Sequence, residues 1–160
     1  MKKANINSKK GFTIIEVVLV LAIAGLIFLM VFVALPNLQR TQRDTQRRDD
    51  ISRVATALTQ YITNNGKTPA SSASTDFVTN YLKANGEDTF VDPSGSDYVV
   101  RITNATPASG KYVDGKVGEI DIYTGTKCGA DENTLAANAG NRHFAVITKL
   151  EGAGTYCTDN

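Results

Sequence analysis

The sequence predicts an α+β protein: a long N-terminal helix, first membrane-spanning and then amphipathic, packed on a small antiparallel β-sheet head. Three observations predict it. From Val17 to Leu35 no side chain is charged or polar. Beyond Pro36 the apolar residues recur at helical spacing instead of continuously. The C-terminal half then carries several short β-branched and aromatic runs separated by glycines.

The apolar run comes first in the chain. About 20 apolar residues at a rise of about 1.5 Å cross the roughly 30 Å core of a bilayer. A secretory signal has a shorter apolar stretch of about 7–15 residues and a small-residue cleavage site. Phe32-Val33-Ala34 is a poor match to such a site. Four of the seventeen basic residues (Lys2, Lys3, Lys9 and Lys10) precede the run, with no acid among the first ten positions. They favour a cytoplasmic N-terminal side. Arg40, Arg43, Arg47 and Arg48 on the far side weaken that bias, although Asp44, Asp49 and Asp50 accompany them.

Glu16 is the residue that a plain anchor does not explain. It lies just inside the apolar segment with no basic partner in its own helix. A carboxylate moved toward a membrane helix centre costs about 2.5–3.5 kcal/mol, less near the interface. Cleavage between Gly11 and Phe12 would create an α-amine four residues from Glu16. A second copy shifted axially by about one turn would bring one subunit's amine to another's carboxylate, offsetting desolvation and fixing register. The competing reading is a signal anchor whose Glu16 snorkels to the interface.

Lys9-Lys10-Gly11-Phe12-Thr13-Ile14-Ile15-Glu16 resembles the class III signal of type IV prepilins and pseudopilins. The resemblance covers about positions 9 to 62 and implies a type IV pilin-like fold. It implies that a membrane peptidase cuts after Gly11 and methylates Phe12, and that Glu16 serves assembly. It also implies that Gly25 and Pro36 bound a segment able to unwind, although Pro36 falls later than the proline of many relatives. The implied partners are other copies of the chain in a helical homopolymer, a prepilin peptidase, an inner-membrane platform protein, an assembly ATPase and minor pilins. The implied location is a single-pass membrane protein with its head outside the cytoplasm, then an extracellular filament serving adhesion, twitching motility or DNA uptake. No cofactor is implied. A pseudopilin of a type II secretion or competence system is the alternative within the family. A membrane-tethered ligand-binding module is the alternative outside it, and it would need a concave pocket with convergent polar groups.

The expected organisation is a basic leader (1–11), a transmembrane and polymerisation helix (12–36), an amphipathic helix (37–66) and a globular head (67–160). In the amphipathic part, Ile51, Val54, Ala55, Leu58 and Ile62 form one stripe with Tyr61 beside them. Asp44 and Arg48, like Asp49 and Arg53, stand in the favourable i, i+4 order. The run from Arg40 to Arg53 reads as a solvated helix face, with subunit pairing as its functional alternative. Gly66 after Asn64-Asn65 is a stop, so the helix is expected to run from about Phe12 to Asn65.

In the head, Thr68 to Thr75 reads as a loop. Asp76 is expected to cap a short helix reaching about Ala84, with Phe77, Tyr81 and Leu82 on one side and Asn85-Gly86 at its end. Strands are expected at Tyr98–Thr103, Val117–Tyr123, His143–Leu150 and Thr155–Cys157. Cys128 and Cys157 match no zinc spacing. In an exported chain they read as one disulfide, the alternative being two half-buried thiols. A bridge would staple the segment from Gly129 to Arg142 onto the sheet, and relatives often carry a disulfide-bounded C-terminal region.

Catalytic signatures are missing. His143 is the only histidine and has no ligand-spaced partner. There is no G-x-S-x-G, P-loop or H-E-x-x-H. Asp92-Pro93-Ser94-Gly95-Ser96-Asp97 reads as a turn, without the EF-hand pattern. Asn104-Ala105-Thr106 is a sequon with nothing to support its use. Without the four leading lysines, thirteen basic side chains face sixteen acidic ones. That balance argues against a dedicated nucleic-acid binder, and three acids dilute the five arginines of the helix.

Overall fold

A computed structural model describes residues 11–83, 89–104, 110, 112, 115–137, 140–152 and 154–160. The leader lysines, Ala84, Asn85-Gly86 and the Ala105-Thr106 part of the sequon lie outside them. The chain divides into two compact units, Met1–Gln39 and Arg40–Asn160.

Helix α1 spans Ile14–Asn65, beginning two residues later than the apolar pattern suggests. Its early part is long and apolar enough to cross a membrane. Large apolar side chains from Phe12 to Leu38 are exposed, so this stretch has no core of its own. Pro36 lies within the helix, which continues through it although proline has no N–H to donate. The helix ends where Gly66 takes φ +73° and its N–H donates to the Ile62 carbonyl at 2.7 Å. This is the left-handed C-terminal cap that glycine permits.

The second unit is the head together with the helical turns that serve it. A helical stretch opens at Ser71 as a 3₁₀ turn (Ser71–Ala73), becomes α2 (Ser74–Phe77) and closes as a π turn (Val78–Leu82). Asp76 therefore lies inside a helical stretch and does not cap it. Chain emerging from Pro69-Ala70 enters the turn earlier than a side-chain cap would require. Strands β1 (Val99–Thr103), β2 (Glu119–Thr124), β5 (Phe144–Lys149) and β6 (Thr155–Asp159) form one sheet in the order β1-β2-β5-β6. Two three-residue strands, β3 (Thr126–Cys128) and β4 (Leu135–Ala137), pair separately and antiparallel.

The helix-on-sheet class is as the sequence predicts, but the sheet is mixed where an antiparallel one is expected. β1 and β2 run parallel, with Ile102 opposite Ile122, whereas β2–β5 and β5–β6 are antiparallel. Parallel neighbours need a connection of about a dozen residues or more. The chain from Asn104 to Gly118 is long enough to return β2 to the starting end of β1.

One face of the sheet holds the core. Ile102, Ile120, Ile122, Phe144 and Val146 meet Ile51, Val54, Ala57 and Leu58 of α1, with Phe77, Leu82, Phe90 and Tyr98 filling in. Alternation puts Asp121, Ala145 and Ile147 on the other face, also buried. Central strand β5 is thus buried on both sides, which explains its near-continuous apolar run. The β3–β4 pair lies over that second face, where β3 packs on β5 and β6. The Cys128–Cys157 disulfide fastens it, with a Cα–Cα distance of 6.0 Å. In the chain-entropy picture a loop of about 30 residues contributes roughly 3–4 kcal/mol. The segment after Gly129 is partly strand rather than loop, because β4 gives its backbone groups partners on β3.

Candidate processing and assembly site

Gly11, Phe12 and Thr13 precede α1 in non-helical backbone. Phe12 is 90% exposed and the Glu16 side chain is exposed four residues later. Glu16 is not without a partner. The Thr13 backbone N–H donates to its Oε2 at 2.9 Å, and the Thr13 hydroxyl donates to the same oxygen at 2.7 Å. In return the Glu16 backbone N–H reaches Thr13 Oγ1 at 3.4 Å. This is a reciprocal capping box: Thr13 is the cap residue and Glu16 the third helical residue. The first helical N–H groups have no partner within the helix, and an acid there also opposes the positive end of the helix dipole. Thr13-Ile14-Ile15-Glu16 fits the S/T-x-x-E pattern, so the signal is present in the sequence beneath the membrane argument. The box fixes where the helix starts. It leaves the Gly11–Phe12 bond outside the helix.

Gly25 has open space where a Cβ would stand. It and Pro36 are both helical. Neither approaches the Glu16 end, since they lie nine and twenty positions farther along the same helix.

In the charged run farther along α1, Arg40, Arg48 and Asp49 are exposed, as a solvated face would have them, but Arg43, Asp44 and Arg47 turn to the head. Arg47 is completely buried. Its guanidinium donates to both oxygens of Asp92, at 2.6 and 2.9 Å. It also donates to Asp44 at 3.0 Å and to Glu151 at 2.8 Å. Arg43 clamps Glu151 through two nitrogens, the closer contact being 2.6 Å. Asp44 turns to Arg47 and to the Glu151 and Gly152 backbone N–H groups, at 2.9 and 2.8 Å. Arg48 lies over the Tyr156 ring, 5.2 Å from its centre. One helical turn thus binds the turn after β5 and the turn before β1.

The electrostatics follow from these contacts. The Arg43 bonds, with Arg47 behind them, hold Glu151 well below the usual carboxylate range, at about 2. Burial pushes Asp92 up, but bonds from Arg47 and Ser94 outweigh it and the net direction is down. Arg47 is raised, with the Asp92 bonds as the largest cause. Asp50 goes the other way: burial raises it despite the 2.8 Å hydrogen bond from the Tyr98 hydroxyl.

Asp92 also organises the turn expected at Asp92–Asp97. Its Oδ1 accepts the Ser94 N–H at 2.9 Å, its carbonyl accepts the Gly95 N–H at 2.8 Å, and Gly95 has φ +94°. A second cluster covers the far sheet face, where Arg101 and the Tyr112 hydroxyl both donate to Asp121. His143 Nδ1 is 3.2 Å from the Asn160 carbonyl oxygen. Among the described residues, no group of three or more His, Cys, Asp or Glu side chains is placed to hold a metal ion.

No curated protein and no solved structure matches the chain. Residues 6–32 match the family model described as the prokaryotic N-terminal methylation motif. With Gly11, Phe12 and Glu16 inside that match, the chain carries the N-terminal signal of the type IV pilin and pseudopilin family.

Proposed function

We propose that the chain is a structural filament subunit. A prepilin peptidase cleaves it between Gly11 and Phe12 and methylates Phe12. The single-pass protein is then drawn from the membrane into a helical polymer by the platform protein and ATPase of its assembly system. In this reading residues 1–11 are the leader, 12–36 the polymerisation segment, 37–66 the helix that carries the head, and 67–160 the head. The observation that carries it is the exposed apolar surface from Phe12 to Leu38, joined to a motif match over residues 6–32. In water such a surface must be covered, and lipid before assembly and copies of the same helix afterwards both cover it. Gly25 and Pro36 supply the weak points at which the helix can stretch.

Mass spectrometry of the native N-terminus tests the processing step. The expected species begins at Phe12 and carries one methyl group. A mature chain still holding Gly11 and the residues before it would overturn the reading. Glu16→Ala tests the assembly step separately. Membrane insertion and cleavage should persist, while sheared filaments counted by electron microscopy should be lost. Filaments of normal number and length from that variant would remove Glu16 from assembly.

A further inference from the structure

A cleft of about 570 Å³ opens in the head, lined among others by Tyr61, Lys67, Asn104, Thr124 and Asn141. Its place in the topology is specific. Asn104 follows the carboxyl end of β1 and Thr124 is the carboxyl end of β2, the two parallel strands. In open parallel sheets ligands commonly sit just beyond the carboxyl ends of the strands, and this parallel pair places its end groups in the same way. Tyr61 comes from the last turns of α1, and Lys67 follows the Gly66 cap. The Thr68–Ala73 stretch, unused by the filament reading, supplies another wall. The volume lies in the usual range for a small-molecule site, about 300–1,000 Å³.

The lining chemistry selects the ligand class. We propose that this cleft binds an acidic saccharide unit, a sugar ring bearing a carboxylate. Among the described residues Lys67 brings the one charge, and no Asp or Glu lines the cleft. The ammonium of Lys67 has no acidic partner among the described residues. The Thr124 hydroxyl donates to the Asn104 carboxamide oxygen at 2.8 Å, which leaves the Asn104 amide N–H groups as donors. Asn141 offers a second carboxamide, while its backbone carbonyl is tied to the Thr68 hydroxyl across the cleft at 3.5 Å. Carboxamides suit sugar hydroxyls because each both donates and accepts. Tyr61 is held by edge contacts with Phe77 and Tyr81, at 6.1 and 5.2 Å between ring centres. A fixed ring of this kind suits the apolar face of a sugar, and its hydroxyl supplies a polar handle. A carboxylate on the sugar would meet Lys67 in a charge-assisted bond, the strongest single contact available.

The test uses the full-length chain in detergent micelles and reads backbone amide NMR shifts. The probes are glucuronic acid and, as its neutral counterpart, glucose, each to about 10 mM, where a millimolar site fills. Saturable shifts clustered at Lys67, Asn104, Thr124 and Asn141 are expected with glucuronic acid. Glucose should bind at least about fivefold more weakly, and Lys67→Gln should erase that preference. Lys67 is exposed, so this variant keeps the fold. No shifts with either probe, shifts centred elsewhere, or equal affinity for the two sugars would overturn the proposal. So would a Lys67→Gln variant that still prefers glucuronic acid. None of these outcomes involves polymerisation, so each leaves the filament reading standing.

Discussion

Glu16 and Arg47 are both charged residues of α1, and their surroundings differ in every respect. The Glu16 carboxylate is exposed among exposed aliphatic neighbours and is held by a residue three positions away. The Arg47 guanidinium is sealed from solvent and held by acids 3, 45 and 104 positions away. A local partner leaves a charge free to be taken over by another molecule, because releasing it disturbs only one turn. A partner set drawn from three separate segments cannot be released without opening the head. One helix therefore carries an exchangeable charge at its start and a fixed one in its second half. The first suits a surface that meets successive environments. The second suits a joint that must not move.

Removing the fixed charge should have the largest effect. Arg47→Ala leaves Asp92 buried at 1% exposure without its cation. Breaking a buried pair from one side costs about 3–5 kcal/mol. Urea unfolding of the full-length chain in detergent should show a loss of that size. Arg43→Ala is the control, since its side chain is 33% exposed and its hydrogen bonds among the described residues go to Glu151. Its loss leaves Glu151 still paired with Arg47 at a half-exposed site, so the cost should be smaller than for Arg47→Ala and nearer the roughly 1 kcal/mol of surface pairs. Equal losses from the two variants would mean that burial does not set the worth of this network.

The same joint should respond to acid. Glu151 is held at about 2 in the fold against an ordinary 4.5. A depressed carboxylate contributes its stability above the unfolded value and loses it as pH falls through the folded one. The window is therefore about pH 4.5 down to about 2, and Asp92 acts in the same direction. Asp50 opposes them, because burial penalises its charged form. Glu151→Gln should be less stable than the parent at pH 7 and should converge with it as pH falls to 2. Melting temperatures followed across that range provide the check. Parallel curves would show that the Glu151 carboxylate adds nothing to the joint.

The head also shows which features can be read from a sequence. The stripe from Ile51 to Ile62, the Gly66 stop and the four main strands are legible because each is a local pattern. The strand-like alternation around Ile120 and Ile122 needs no knowledge of its partner. The direction of β1 against β2 does need it: a fifteen-residue connection permits a return in either sense. β3 and β4 are hidden because three residues are too few to show alternation. The run from Arg40 to Arg53 misleads for a related reason. Its spacing fits i, i+4 pairs, but Arg47 is buried by Asp92 and Glu151, whose proximity only the folded chain creates. Glu16 is the reverse case. Its short-range partner is written three residues upstream, and the membrane cost of a carboxylate draws attention to distant partners instead.

The smallest effect should come from the exchangeable end. Thr13→Val keeps the β-branched shape but removes the hydroxyl, and with it two of the three bonds of the capping box. The bond from the Thr13 backbone N–H to Glu16 survives. Loss of a capping side chain costs about 0.5–2 kcal/mol, felt within the first turn. Hydrogen exchange at the Glu16 amide, which donates to the Thr13 hydroxyl, should quicken by about fivefold for a loss near 1 kcal/mol. Thr13→Ser should restore the parent rate. The urea midpoint of the head should not move, since the capping box is made wholly between Thr13 and Glu16. Exchange unchanged in Thr13→Val would show that Glu16 is not held by its own chain. A shifted urea midpoint would show that the two charges of α1 are not independent, and the contrast between them would fail.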